Sequence, residues 1–202
     1  MTEIGTILLA AGLSTRMGAR NKLLLPIGGV PMIRHMVATY HAATGQSVLV
    51  VTGHEAAQVE DALRDCPAEI CFNPDFVQGQ VSSVVCGLRR AGAKGTLFIG
   101  LGDQPRLSPA DLRQLIAAHA AIGGNKIAIP KWQGQRGNPI FIPENLRARL
   151  LEDPRAPGCK SFTRAHPEQV QFHALPNPGF YADVDTPAAY AALHSTFKEA
   201  TV

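Results

Sequence analysis

Short apolar runs alternate along this chain with segments whose apolar positions recur every third or fourth residue, the pattern of buried strands alternating with amphipathic helices. Strands are expected at 4–10, 47–51, 69–72 and 96–101, and helices at 31–43, 55–63 and 82–91. The first helix is entered through Gly28-Gly29, and Ser82 or Ser83 can cap the third. A fourth helix starts at Ser108, which is followed by Pro109 in the first helical turn and Asp111 at the end favoured by the helix dipole. Strand–helix repetition of this kind specifies a parallel sheet with helices on both faces. Ligands on such sheets bind at the carboxyl ends of the strands.

The rhythm changes after residue 123. Apolar runs at 126–130 and 139–142 flank the polar, glycine-bearing stretch 131–138, which reads as a hairpin or as paired strands crossing the sheet. A loop is expected over 154–158, an exposed edge strand over 170–175, and a last helix beginning at Thr186-Pro187. There is no internal repeat, no low-complexity tract and no evident interdomain linker. A chain of 202 residues then reads as one domain, 1–202.

Composition narrows the class. Apolar residues make up 46% and charged residues 17%, as in an ordinary globular protein. A net charge of +3 is too small to argue for nucleic acid as a partner. No apolar run is long enough to span a membrane, and the first residues lack the charged and apolar regions of a signal peptide, so a cytoplasmic location is expected. Cys66, Cys71, Cys86 and Cys159 form no Cys-x-x-Cys pair and read as small buried hydrophobes. His35, His41 and His119 fall in helical patterns and read as surface or packing residues.

Chemistry concentrates where the first strand ends. Ile7-Leu8-Leu9-Ala10-Ala11-Gly12-Leu13-Ser14-Thr15-Arg16-Met17-Gly18, with Lys22 beyond, is an apolar run that empties into a loop of small residues carrying fixed cations. Small residues let backbone N–H groups approach a ligand, and Arg and Lys answer the charge of a polyphosphate. The loop is neither of two common nucleotide loops. Gly12 and Gly18 have the wrong separation for a P-loop, and Ala19 follows Gly18 in place of Lys. A dinucleotide fingerprint would need a glycine where Ser14 stands and a helix where Lys22-Leu23-Leu24-Leu25-Pro26 follows.

Three further motifs sit near predicted strand ends. Gly100-Leu101-Gly102-Asp103-Gln104-Pro105 offers a carboxylate suited to Mg²⁺, which takes few carboxylates alongside phosphate oxygens and water, although Asp103 equally suits a turn. In Tyr181-Ala182-Asp183-Val184-Asp185-Thr186-Pro187, alternation along an extended chain puts Asp183 and Asp185 on one face, where they need a cation. Asp185 could instead merely support the helix start. Arg136-Gly137-Asn138-Pro139 could be a ligand-facing turn or a plain hairpin turn with a solvated Arg.

The first loop resembles the Leu-Ala-Ala-Gly-x-Ser-x-Arg-Met-Gly-x-x-x-Lys signature of nucleotidyltransferases with the GT-A-like fold, nearest the MobA-like family and, within it, the molybdenum cofactor cytidylyltransferases. The other three motifs follow in the family's order, so the resemblance covers nearly the whole chain. It implies a Rossmann-like, three-layer αβα sandwich with a mostly parallel sheet. Residues 1–123 would form the nucleotide-binding half, and 124–202 the half holding the acceptor and a second metal ligand. It implies a transfer of CMP from CTP to a phosphorylated pterin, the terminal phosphate of molybdopterin, with release of pyrophosphate and Mg²⁺ as cofactor. A molybdenum hydroxylase would receive the product.

By the same resemblance Arg16, Lys22 and Asp103 are catalytic. The nucleotide would be bound by Leu9, Ala10, Ala11, Gly12, Ser14, Thr15, Arg16, Lys22, Gly79, Ser83 and Asp103. Asp103 with Asp183 or Asp185 would hold the metal, and Gln104, Arg136, Gly137 and Asn138 would face the acceptor. Gln80-Val81 departs from the small residue and Met that usually precede the base-contacting serine, which touches base specificity. The Ala11 methyl narrows the base pocket toward a pyrimidine. GTP, another acceptor such as methylerythritol phosphate, a non-catalytic cofactor carrier and a nicotinamide oxidoreductase are the competing readings, the last disfavoured by the failed fingerprint.

Overall fold

The computed structural model describes residues 3–18, 20–152 and 157–199. In chain order its elements are β1 (Ile4–Ala10), β2 (Pro26–Ile27), β3 (Val30–Pro31), α1 (Met32–Thr44), β4 (Val48–Thr52), α2 (Ala56–Ala62), β5 (Ala68–Phe72), α3 (Gln80–Arg90), β6 (Thr96–Leu101), α4 (Pro109–Ala120), β7 (Ile127–Trp132), β8 (Gln135–Arg136), β9 (Ile140–Ile142), α5 (Glu144–Arg147), α6 (Cys159–Ala165), β10 (Val170–Ala174) and α7 (Pro187–Glu199). The main sheet runs β10-β7-β9-β6-β1-β4-β5, with β8 added on β7. β5, β4, β1 and β6 are mutually parallel, and β9 runs antiparallel to both β6 and β7. The result is the expected mostly parallel αβα sandwich.

The period of two in the strands builds its layers. Leu8 and Ala10 of β1, with Val48 and Val50 of β4, face Ile33, Met36, Val37 and Tyr40 of α1, Val59 of α2 and Leu112 and Leu115 of α4. Ile7, Leu9, Leu49 and Val51 alternate with them and face Val84 and Leu88 of α3, Leu146 of α5 and Phe162 of α6. Both faces being covered explains why these strands read as near-continuous apolar runs. A third, smaller cluster of Ile27, Met32, Val184 and Leu193 ties the last helix to the β2–β3 ribbon.

Chain order reverses at β1. The chain moves outward through β4 to β5, then returns to lay β6 on the other side of β1. Loops leaving β1 and β6 at such a switch diverge and leave a crevice between them. Gly102 N–H donates to Leu9 O at 3.0 Å and carries the β1–β6 pairing to the crevice floor. A Cβ on Gly102 would stand 3.1 Å from that Leu9 oxygen, and this contact is why a glycine follows β6.

Local departures from the sequence expectation have simple causes. The chain enters α1 through the two-stranded ribbon β2–β3, whose turn residues Gly28 and Gly29 both have positive φ, as a tight hairpin requires. Neither Ser82 nor Ser83 caps α3. That helix begins at Gln80 with Gly79 as its N-cap, and Ser82 Oγ instead donates to the carbonyls of Gly79 and Asp75, each at 2.8 Å. Cys71 and Cys86 are only half-buried, and their sulfurs lie 3.3 Å apart between β5 and α3. His119 packs in the core beside Phe141, whereas His35 pairs with Pro105 O and His41 with Gln46 O. The loop expected over 154–158 lies mostly outside the described residues, as does Ala19. Among the described residues no helix is long and apolar enough to cross a membrane.

The expected cap of α4 forms a complete capping box. Ser108 Oγ accepts from Asp111 N at 3.3 Å, and Ser108 N donates to Asp111 Oδ2 at 2.8 Å. Asn177 also donates to Asp111 Oδ1 at 2.7 Å and joins the segment before α7 to the same cap. Asp111→Ala should lower stability by about 1–2 kcal/mol, measured by urea unfolding. An unchanged midpoint would show the box to be dispensable.

Candidate active site

Residues 9–16, Lys22, Phe76, Gly79, Ser83, Asp103, Asp183 and Asp185 line a cleft of about 410 Å³ at the carboxyl ends of β1 and β6. After Ala10 the chain leaves β1 as a loop in which Ser14 takes a left-handed conformation (φ 52°) and residues 15–17 make one tight turn closed by Met17 N to Ser14 O at 2.8 Å. Met17 is buried and anchors this turn. A second tight turn, Lys22–Leu24, follows. The buried Asn21 caps it by accepting from Leu23 N at 3.1 Å, and Leu23 plugs into the core. Lys22 is thereby aimed into the cleft from a fixed base, with its own N–H directed at Ser14 Oγ, 3.4 Å away.

Lys22 Nζ is shared between two carboxylates. It bonds Asp103 Oδ2 and lies 2.6 Å from Asp185 Oδ1. Arg16 reaches the other oxygen of Asp185 at 2.8 Å. The segment carrying Asp183 and Asp185 is held against the β6 loop by Val184 N–H donating to Asp103 O at 2.8 Å. A tripod of three separate chain segments therefore converges on one ammonium group.

The two aspartates of the last motif do different things. Burial works against ionised Asp185, but the hydrogen bond and charge of Lys22, then those of Arg16, outweigh it and hold the carboxyl below its usual range. Burial also raises Asp183, as does the nearby charge of Asp103. Asp183 receives one compensating bond, from Gln104 Nε2 at 2.8 Å. Burial works to lower Lys22 as well, but Asp103 and Asp185 together lift it above the ordinary lysine value.

Most residues selected from the sequence come together in this cleft, with one correction. Gln104 was expected to face the acceptor, yet it is fully buried and donates to Asp183 and to Phe180 O, so it supports the site from beneath. Of the two aspartates that could accompany Asp103, Asp185 shares Lys22 with it, while Asp183 is bonded by Gln104. Among the described residues no three His, Cys, Asp or Glu side chains are grouped to hold an ion. Ser83 is buried and accepts from Asn73 Nδ2 at 3.0 Å. Arg136, Gly137 and Asn138 lie apart from the first cleft, along an adjoining one.

Sequence reasoning missed Phe76 and Val77, which form a wall of this cleft. They occupy a tight turn whose place is set by contact with the first loop. A Cβ on Gly53 would stand 2.6 Å from the Phe76 Cβ and 2.8 Å from the Ala11 Cβ. That close approach requires a glycine after β4, and nothing in the local sequence announces it.

Residues 6–170 match the model of the MobA-like NTP transferase domain, and the chain belongs to that family. It is thus a nucleotidyltransferase domain by family and fold. Among curated relatives it is 39% identical over 127 residues to the bifunctional protein GlmU of Kineococcus radiotolerans, covering 61% of this chain and 26% of that one. The chain thus spans about a quarter of the length of that relative. It is 28% identical over 186 residues to the nicotine blue oxidoreductase of Paenarthrobacter nicotinovorans, covering 89% of this chain and 91% of that one. Among solved structures, a nucleotidyl transferase from Methanothermobacter (Mth528) superposes with a TM-score of 0.79 at 25% identity, covering 98% and 99% of the two chains. A manganese complex of Rv0371c from Mycobacterium tuberculosis superposes at 0.70, with 23% identity and coverage of 96% and 100%.

The charge arrangement has a stability consequence. Lowered Asp185 stabilises the fold above its unfolded value, and that contribution is lost as pH falls through the lowered folded value. Raised Lys22 contributes fully below its unfolded value and loses that contribution as pH rises through the raised one. Lys22→Met should therefore cost about 2 kcal/mol at pH 7, less than a fully buried pair because the partners are part-exposed. The deficit should shrink as pH falls through the carboxylate range. Urea unfolding of both proteins at pH 7 and at about pH 2.5, below the unfolded carboxylate value, checks this, and an equal deficit at both would contradict it.

Proposed function

We propose that this domain transfers CMP from CTP to the terminal phosphate of molybdopterin and releases pyrophosphate. One observation carries the reading. Lys22 is held between Asp103 and Asp185 where the small-residue loop after β1 meets the end of β6. A triphosphate laid along residues 9–16 would bring its charge to Arg16 and Lys22, and the carboxylates would be released to a cation. The Ala11 methyl, buried behind the loop, leaves less room for a purine and favours cytosine.

The acceptor needs no strong general base, because a phosphate monoester is already ionised at neutral pH. One of its oxygens forms a bond to the α-phosphorus of CTP, while the bond from that phosphorus to the bridging oxygen of the β-phosphate breaks. The electron pair leaves with pyrophosphate. Catalysis is then positioning and charge neutralisation. Lys22 and Arg16 orient the triphosphate and oppose the charge that grows on the leaving group. Gln104 fixes Asp183 beneath them.

The residues fit a divalent cation. Asp103 Oδ1 is buried with no hydrogen-bond partner, and Asp185 is part-exposed beside it. Two carboxylates plus phosphate oxygens suit Mg²⁺. Asp103 and Asp185 would hold it, with Asp183 kept by Gln104, and it would supply further neutralisation of the phosphates. The product, a cytosine dinucleotide form of the cofactor, would pass to a molybdenum hydroxylase.

One observation favours a second reading. The nicotine blue oxidoreductase matches this chain over nearly the full length of both. Under that reading the cleft would serve a redox partner and the ion cluster would be structural.

The assay is pyrophosphate release with Mg²⁺, Mo-molybdopterin and each of CTP, GTP, ATP and UTP. Release with CTP alone is expected, lowered about 10²–10³-fold in kcat by Lys22→Ala or Asp103→Ala. Release with GTP, or only with methylerythritol phosphate, would move the base or the acceptor. Tight molybdopterin binding without release would point to a carrier, and oxidation of NADH or NADPH by nicotine blue without pyrophosphate release to the redox reading.

A further inference from the structure

A second cleft, of about 500 Å³, adjoins the first and shares Leu9, Gln80, Leu101 and Asp183 with it. Its far wall carries Arg136 from β8 and Lys160, Thr163 and Arg164 from α6. Lys160 and Arg164 stand four residues apart and so project from one face of α6, where like charges oppose the helix that carries them. Arg136 donates to Thr163 Oγ1 at 3.2 Å, which places a third cation beside that face, and its guanidinium lies over the Phe172 ring, 5.4 Å from the centroid. None of the three is among the ion pairs of the described residues. Asp183 is the one carboxylate on the described lining, and it lies at the junction with the nucleotide cleft, already bonded by Gln104.

Three cations along a cleft, with Asp183 at its junction as the one carboxylate on the described lining, make a receptor for an anion. On the proposed transfer, the reacting phosphate of an acceptor would lie at the junction of the two clefts, which Leu9, Gln80, Leu101 and Asp183 form. The basic wall lies beyond it.

We propose that Lys160 and Arg164 bind a second anionic group of the acceptor, apart from the phosphate that reacts. The acceptor class is then a phosphorylated molecule with a second, separate anionic group, such as the dithiolene unit of molybdopterin, and a polyol phosphate that is otherwise neutral fits poorly. The proposal rests on the reading of this domain as a nucleotidyltransferase with its acceptor in the second cleft.

The test is calorimetric binding to the whole protein of two probes of similar size, 3-phosphoglycerate (phosphate and carboxylate) and glycerol 3-phosphate (phosphate and neutral diol). Wild type is expected to prefer 3-phosphoglycerate by about tenfold, the size expected of two part-exposed ion pairs. Lys160→Ala/Arg164→Ala should erase the preference and leave the affinity for CTP unchanged. Lys160→Arg/Arg164→Lys should keep it, a rescue that a merely structural role would not require. Equal affinities in wild type, a lack of binding by both probes, or a preference that survives in the double alanine variant would each overturn the proposal. Failure of pyrophosphate release with every acceptor, alongside an intact preference, would instead overturn the transfer reaction and leave the anion site standing.

Discussion

Everything at the mouth of the sheet depends on one ammonium group shared by two carboxylates. Lys22 comes from the loop after β1, Asp103 from the end of β6 and Asp185 from the segment before α7. A part-buried lysine is costly without partners, and so is each aspartate. Together they fix three segments that the core holds only at a distance. The backbone bond from Val184 N to Asp103 O and the capped turn under Lys22 restrict where the three groups can go. The ion cluster is therefore the latch of the site. A ligand carrying comparable charge has to compete with it.

That competition explains why the site does not resemble a ready-made metal centre. Asp103 keeps one buried oxygen without a partner, yet Lys22 stands where a cation would be shared with Asp185. On the proposed function, phosphates arriving with a cation would exchange partners all round: the ammonium would go to phosphate oxygens and the carboxylates to the cation. Nucleotide and metal would then support one another's binding, as thermodynamic linkage requires. Asp183 stands outside the exchange, because Gln104 holds it from the interior.

How much of this could be read from the sequence follows from the range of the interactions. The strands up to residue 101 were legible because a sheet covered on both faces must be written in apolar runs, and the α4 cap because a capping box is spelled within four residues. The strand-end positions of the first loop and of Asp103 followed from those elements. Contacts that close over long separations left no local trace. Lys22 meets partners 81 and 163 residues away, so each was read as a ligand group without its tie to the others. Gln104 was placed by its motif on the acceptor side, but the direction of a side chain in a tight loop is decided by packing, and here it points inward. Ser82 and Ser83 looked like caps because the helix start was drawn two residues late. Phe76, Lys160 and Arg164 went unnoticed because only the fold brings their segments to the clefts.

We propose that Lys22 holds the two carboxylates until a nucleotide draws it away. The most direct test is a titration with Mn²⁺, followed by the electron paramagnetic resonance of the free ion, with and without CTP. Weak binding to the protein alone, at least tenfold tighter with CTP than the sum of separate protein and nucleotide sites allows, and strengthened without CTP in Lys22→Met, is the predicted result. Equally tight binding with and without CTP, unaffected by Lys22→Met, would contradict it.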